Sequence, residues 1–321
     1  MLGFSYNGKH TDEMHIGYIP DAGDRGDLVS DYAVVSADRS WAPGADYYTT
    51  RTKVREFKLK CFYEMITRRE REEILRWIDR RTSGYLIFDD RPYARYTVRP
   101  NKAPDIKDYT QFVGTERVFS GTMTIYFAAY YPFADLIETT SDNASPEALA
   151  DLDLLPSSMM PSGGTLIYNP GTELGQSIIT TTGAATITNN TNGDMCAITS
   201  GNCVVDSKRG SVVRSGSLDF SVHNYGYIHF VPNRIIRNNI QVKQTSGSTT
   251  IQGYGSFASD MVGAYIYLGS TWKKITSFTD SSHITVASSS GSTTTTRTII
   301  ATMNELSVTG SATIQCRPEV R

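Results

Sequence analysis

The titratable residues of this chain fall in close pairs, and their spacing decides what chemistry they could share. His223 and His229 flank the YGYI stretch six residues apart. On a strand an even separation puts both imidazoles on one face, the arrangement of a metal-ligand pair or of a base with its partner. No acidic residue or cysteine is in phase with them, so two half-buried histidines are the commoner outcome. His10 and His15 lie beside Asp12 and Glu13, a single turn of chain that falls short of a metal site. Asp89 and Asp90 are adjacent; on a strand they would point to opposite faces, so a turn explains them better than a carboxylate pair. Asp151 and Asp153 could share a face but sit in a polar stretch and read as solvated. Cys61, Cys196, Cys203 and Cys316 are scattered without a CxxC pair, the pattern of buried free thiols rather than of disulfides or zinc ligands. Neither GxxxxGK[ST] nor a strand–GxGxxG–helix unit occurs. No catalytic, cofactor-binding or metal-binding residue is assigned, and the chain reads as a non-enzyme without a cofactor.

One further group could bind rather than react. Tyr225, Tyr227, Tyr254, Tyr265, Tyr267 and Trp272 lie at strand spacing and could form a stacking platform for sugar rings. Aromatics at this spacing more often pack a sheet face. If the platform exists, Tyr265, Tyr267 and Trp272 are the residues to test.

The elements that must position these groups are mostly strands. The net charge of −2 over 321 residues gives no whole-chain case for nucleic acid or a membrane surface. No apolar run reaches the ~20 residues of a membrane helix, and MLGFSYNGKH lacks the basic flank and apolar core of a secretory signal. Folding in a cytoplasm is the expectation. The first segment, residues 1–137, holds the one clear helix. Thr67 followed by Glu70 is a capping box, Ile74, Leu75, Trp77 and Ile78 make an apolar stripe, and Gly84 is expected to end the helix in a left-handed cap. Phe57, Leu59 and Cys61 alternate with Lys58, Lys60 and Phe62; Met123, Ile125 and Phe127 alternate with Thr122, Thr124 and Tyr126. Both runs read as strands wet on one face, and YLIF (85–88) and residues 93–99 as strands flanking a DDRP turn.

Residues 36–55, SADRSWAPGADYYTTRTKVR, read differently: long, broken by Pro43 and Gly44, and mixing aromatics with basic residues. Two readings stay open, an arm reaching a neighbouring subunit or a β-hairpin folded on its own domain. Residues 138–164, rich in Ser, Asp, Pro and Met, read as a linker with a short helix after Ser145. Beyond it come short strands at roughly ten-residue spacing with turn signals between them, the pattern of a β-sandwich. That pattern halts at Asn233 and resumes at Asn304. Residues 234–303 read as a small all-β barrel nested in the second domain, leaving 165–233 and 304–321 to form the sandwich.

Taken in order, GFSYNGKHT, the helix after a Lys-rich strand, YLIFDDRPY and TIYFAAYYPFADL resemble the siphophage distal tail protein family. So do YNPGTE, ITNNTNGD, VVDSKRGSVV and YGYIHFVPN, rejoined by NELSVTGSATIQCRPE. The resemblance implies an α+β belt domain with one helix and a galectin-like β-sandwich, so the fold expected is mainly β. It implies a homohexameric ring between the tail tube protein and the tail-tip hub protein, located at the virion tail tip. Residues 36–55 then correspond to the arm that grips the next subunit, with Trp41, Tyr47 and Tyr48 as contacts and Arg51, Lys53 and Arg55 as a polar rim. The family says nothing firm about the 234–303 insert, for which a receptor-binding protein or a host saccharide are the candidate partners. The alternatives are a monomeric carbohydrate-binding module in host-surface adhesion and a tail-associated hydrolase whose carboxylates meet only on folding.

Overall fold

A computed structural model describes residues 2–20, 32–38, 45–79, 82–161, 164–219, 226–289 and 291–321; for residues 32–38 and 45–52 the backbone alone is described. The chain divides into one unit of Met1–Ile137 with Val320–Arg321 and a second of Glu138–Glu319. The last two residues thus leave the sandwich to which the sequence reading assigned them.

In the first unit the strands run in the order Lys9–His10, Phe4–Tyr6, Gly84–Phe88, Arg91–Val113, Glu116–Ala129, Arg55–Thr67 and Gly17–Ile19. GFSYNGKHT opens this sheet. Phe4 and Tyr6 are fully buried, and Asn7 and Gly8 (φ 52° and 76°) make the two-residue turn that pairs Tyr6 with Lys9. The single long helix, α1 (Arg68–Ile78), begins as its sequence demands. The Glu70 amide donates to Thr67 Oγ1 (3.3 Å) and the Thr67 amide donates to Glu70 Oε2 (2.7 Å), satisfying two of the first-turn donors. Its face of Ile74, Trp77 and Ile78 is buried, and Trp77 Nε1 donates to the Tyr6 carbonyl at 2.8 Å. Phe4, Tyr6, Phe57, Phe88, Tyr96 and Phe127 complete an aromatic core with ring centroids 4.6–6.4 Å apart.

Two local expectations give way. The helix stops at Ile78, and Gly84 instead opens the Gly84–Phe88 strand. A Cβ there would lie 2.3 Å from Asn7 Oδ1 and 2.6 Å from the Tyr6 ring, so this glycine answers a close approach and no helix stop. The strand expected over 93–99 runs on to Val113 and pairs with Glu116–Ala129 as one long ribbon turned at Gly114 and Thr115. Tyr32–Asp38 pairs antiparallel with Ala45–Thr52, and among the described residues the two strands constitute a sheet of their own.

In the second unit the short helix α2 (Pro146–Asp151) follows Ser145, whose Oγ accepts from the Ala148 amide at 3.2 Å. The sheet runs Leu166–Ile167, Asn304–Arg317, Gly175–Asn189, Cys203–Asp206, Ser211–Arg214 and Ser217–Leu218, with Met195–Ile198 and His229–Phe230 also on Gly175–Asn189. A bulge between Thr181 and Ala185 bends the long strand, and Ile179, Ile187, Ile198, Val205, Ile228 and Phe230 fill the space inside the bend. Residues 235–301 form a closed six-stranded barrel with its own core of Val242, Ile251, Met261, Ile266, Ile284 and Ile300. Its last strand, Thr294–Ala301, closes the barrel by pairing with Ile235–Gln244 and Tyr265–Leu268.

Candidate assembly site

The pairs that could have done chemistry are held apart or spent on structure. His223 lies outside the described residues. His229 sits at the sandwich turn, where its Nδ1 is 3.0 Å from Asp194 Oδ2 and its amide donates to the same oxygen at 2.8 Å. Asp194 had seemed out of phase; the Asn189–Asp194 turn carries it back across the strand. His10 Nε2 lies 3.0 Å from Asp89 Oδ1, whose other oxygen accepts from the Gly3 amide at 2.6 Å. This triangle ties the amino-terminal hairpin to the DDRP turn. Among the described residues no group of three or more His, Cys, Asp and Glu could hold a metal ion. The four cysteines are free, Cys61, Cys196 and Cys203 are buried, and burial pushes the Cys196 thiol up to about 11.

The residues expected on the arm divide. Trp41 lies outside the described residues. Tyr47, Tyr48 and Arg51 fall on the Ala45–Thr52 strand, where Tyr47 pairs with Ser36 and Arg51 with Ala33 in backbone register. Lys53 is exposed in the two-residue link that follows. Arg55 does not belong to a rim. Only 8% exposed, it donates from Nη1 to Tyr96 Oη (3.2 Å), and its guanidinium lies 5.0–5.3 Å from the centroids of Tyr96 and Phe57. Its position at the start of a strand with inward-facing odd residues turns it into the sheet's core.

The aromatic trio of the insert also has a tenant. Trp272 Nε1 donates to the Met159 carbonyl at 2.7 Å and Tyr267 Oη to the Ser158 carbonyl at 2.9 Å. Tyr265, 6% exposed, packs with Leu155, Tyr168, Ile299, Ala301 and Met303, against which Met159, Met160 and Trp272 also pack. Burial raises the Tyr265 hydroxyl above the usual tyrosine range, while Lys274 (2.5 Å) holds the Glu305 carboxyl below its usual range. Residues 152–160, expected to be linker, are a strap that fastens the barrel to the sandwich. Tyr265 is buried, and Trp272 and Tyr267, whose rings are half-buried, spend their polar edges on the chain's own strap.

Two features went unread in the sequence. One is a set of buried asparagines, Asn169, Asn189, Asn233 and Asn304, joined by hydrogen bonds at the neck of the insert. The other is the tip of the 91–129 ribbon, where Tyr109, Phe112 and Val113 are 59%, 72% and 49% exposed. The two-residue turn Gly114-Thr115 between alternating residues was the available signal for the second.

Residues 27–126 match the family of the phage tail protein RIFT-related domain, a span holding the 32–52 hairpin, α1 and most of the ribbon. Among solved structures the chain is similar to the SPP1 Dit protein, described as a paradigm of the hub adsorption apparatus in phages infecting Gram-positive hosts. The two share 13% identity over 96% of this chain and 99% of that one, with a TM-score of 0.48. A second similarity is to the phage p2 baseplate in its activated conformation with Sr: 11% identity, 71% of this chain, 92% of that one, TM-score 0.31. No curated protein sequence matches the chain. Residues 27–126, about a third of the chain, thus match a phage tail protein RIFT-related domain, and the solved structures similar to the chain are phage tail proteins.

Proposed function

We propose that this chain is a non-enzymatic structural hub of the distal tail, a homohexameric ring that joins the tail tube protein to the tail-tip hub protein. On this reading the first unit makes the ring, and the second, a galectin-like sandwich with its inserted barrel, projects toward host-recognition proteins. The observation that carries the reading is the 32–52 hairpin: within the family-matched span it forms a sheet apart from the larger one. A two-stranded ribbon is marginal in water by itself, so a hairpin of this kind gains its stability by packing on something else. Six copies in a ring supply that something through a head-to-tail contact repeated until it closes. The protein assembles in the host cytoplasm and ends at the virion tail tip.

Light scattering of the purified chain over a range of concentrations tests the ring. A hexamer, or a dodecamer of two stacked rings, is expected. Replacing residues 32–52 with a short Gly/Ser link should abolish the oligomer and leave the second unit folded. A strict monomer at every concentration overturns the ring. The rival reading, a free carbohydrate-binding module, is weakened by the burial of Tyr265 and by the strap's hydrogen bonds with Tyr267 and Trp272.

A further inference from the structure

Among the described residues four charged side chains are buried: Arg55, Asp206, Lys273 and Glu319. Three of them are compensated. Asp206 Oδ2 lies 3.0 Å from Arg317 Nη1, Glu319 Oε1 lies 3.0 Å from Lys208 Nζ, and the Arg55 guanidinium sits against the rings of Phe57 and Tyr96. Lys273 is the exception. It is 8% exposed and alternates with Ile275 along the inward face of its barrel strand. Its Nζ donates to Gln244 Oε1 (3.0 Å) and to the Ser289 carbonyl (3.1 Å), both neutral acceptors. An ammonium carries three N–H groups, so one is left without an acceptor among the described residues. No carboxylate acts on the amine, and burial holds Lys273 below the usual lysine range. A buried charge in this position is costly until something neutralises it.

The place is the mouth of the inserted barrel. Ile235–Gln244 leaves the neck and ends at Gln244, which pairs with Thr294; Thr294–Ala301 then runs back to the neck. Gln244, 1% exposed, and Lys273 thus close the end remote from the neck. Around that end lie residues 245–249, 287–289 and 291–293, which are Ser, Thr, Gly and Ala only. Gln244 cannot supply the missing charge, and its own Nε2 is spent on the Ser248 carbonyl at 2.8 Å. Ser288 and Ser289 are exposed, and their hydroxyls make no hydrogen bond among the described residues. A lysine acting as a point charge, joined by neutral hydroxyl donors, is the donor set that suits a phosphate group. A sugar would leave the charge uncompensated, and a metal cation would add to it.

We infer that the mouth of the inserted barrel is an oxyanion site, where Lys273 supplies the charge that meets a phosphate group and the Ser288 and Ser289 hydroxyls supply neutral donors. The site lies within the insert and does not depend on the ring. No acidic side chain stands among the rim residues to repel the anion, and the exposed rim leaves the approach to it short.

Trace acetylation of the full chain, read lysine by lysine by mass spectrometry, tests the site. The reaction is run in inorganic phosphate and in chloride at equal ionic strength. Phosphate at about ten times its dissociation constant should slow acetylation of Lys273 roughly tenfold, because only the unoccupied fraction reacts. Lys243 and Lys274 should react at unchanged rates. Equilibrium dialysis should find a phosphate bound to the wild type and to Lys243→Met, and none bound to Lys273→Met. That last variant removes a buried charge rather than creating one, a change that folded proteins tolerate, and the acetylation result stands without it. Protection of Lys273 by methyl phosphate as well assigns the site to phosphate carried on larger molecules; protection by inorganic phosphate alone assigns it to the free ion. Equal rates in phosphate and chloride, or all three lysines slowed alike, overturn the site and leave Lys273 a buried amine without an anion.

Discussion

Asn304 Nδ2 donates to Asn233 Oδ1 across 2.8 Å, although the two residues are 71 apart in the chain. They stand at the two crossings where the barrel leaves the sandwich and returns to it. Asn233 Oδ1 also accepts from the Asn169 amide (2.8 Å), and the Asn304 side chain both accepts from the Val231 amide and donates to its carbonyl (2.9 Å each). One step outward, the Arg234 amide donates to Thr302 Oγ1 and the Thr302 amide to the Arg234 carbonyl. The neck is thus closed by side-chain amides doing what a continuous strand pair would do. This is how a sandwich tolerates a barrel between two of its strands.

Asn304→Leu keeps the volume of the side chain and removes its bonds to Asn233 and to both main-chain groups of Val231, leaving those half-buried groups unpaired. Each such group costs about 1–3 kcal/mol, so a loss of at least ~2 kcal/mol of stability is expected by urea unfolding. Glu305→Gln, the adjacent change on the exposed side, should cost less than ~1 kcal/mol. Equal costs for the two would mean the asparagine neck is incidental.

The helix cap carries a pH signature. Hydrogen bonds from the Thr67 amide, then from its hydroxyl, hold the Glu70 carboxyl below the usual 4.5. A depressed folded value means the stabilisation is present above the unfolded pKa and fades as the pH falls through the folded one. Thr67→Ala should cost ~1 kcal/mol at neutral pH. The gap between wild type and Glu70→Gln should be widest above pH 4.5 and close below it. A gap that is constant from pH 7 to pH 3 would remove Glu70 from the cap.

Gly84→Ala separates the two roles a glycine can play at this place. A helix-ending glycine in the left-handed region would resist alanine through backbone strain. Gly84 instead lacks room, since its Cβ would enter the Asn7 amide and the Tyr6 ring. A loss of about 1–3 kcal/mol is expected, and Asn7→Gly in the same chain, which tolerates the positive φ of 52° there, should restore part of it by clearing the nearest atoms. No recovery would place the strain in the backbone after all.

What was legible in the sequence was local. The capping box, the alternation of Met123, Ile125 and Phe127, and the Asn189–Asp194 turn each need only neighbours in the chain, and each stands where expected. The nested insert was legible because turn chemistry at Asn233 and Asn304 interrupts one strand pattern and resumes it. The misreadings were all decided by groups distant in sequence. Arg55 looked like a surface cation until Tyr96 and Phe57 came round it, and Trp272 looked like an unengaged ring until its Nε1 met the Met159 carbonyl.

The strap over the aromatic trio fixes what the insert can do, and its strength can be measured. Two hydrogen bonds, from Trp272 Nε1 to Met159 and from Tyr267 Oη to Ser158, are lost together in Trp272→Phe with Tyr267→Phe, while an aromatic ring stays at each position. At ~1 kcal/mol each their loss should raise local opening of the strap about thirtyfold, since every 1.4 kcal/mol is roughly tenfold. Leu154, Leu155, Met159 and Met160 are then offered to chymotrypsin, and cleavage within residues 152–160 should accelerate by that factor while the barrel itself resists. The same variant tests the covered sugar platform. If releasing the strap lets the chain bind glycans that the wild type ignores, the strap is a cover over a binding face. If cleavage accelerates and no glycan binds, it is a fastening, and the barrel is carried as a rigid part of the second unit. Unchanged cleavage would mean that Leu155, the strap's own fully buried side chain, holds it without either hydrogen bond.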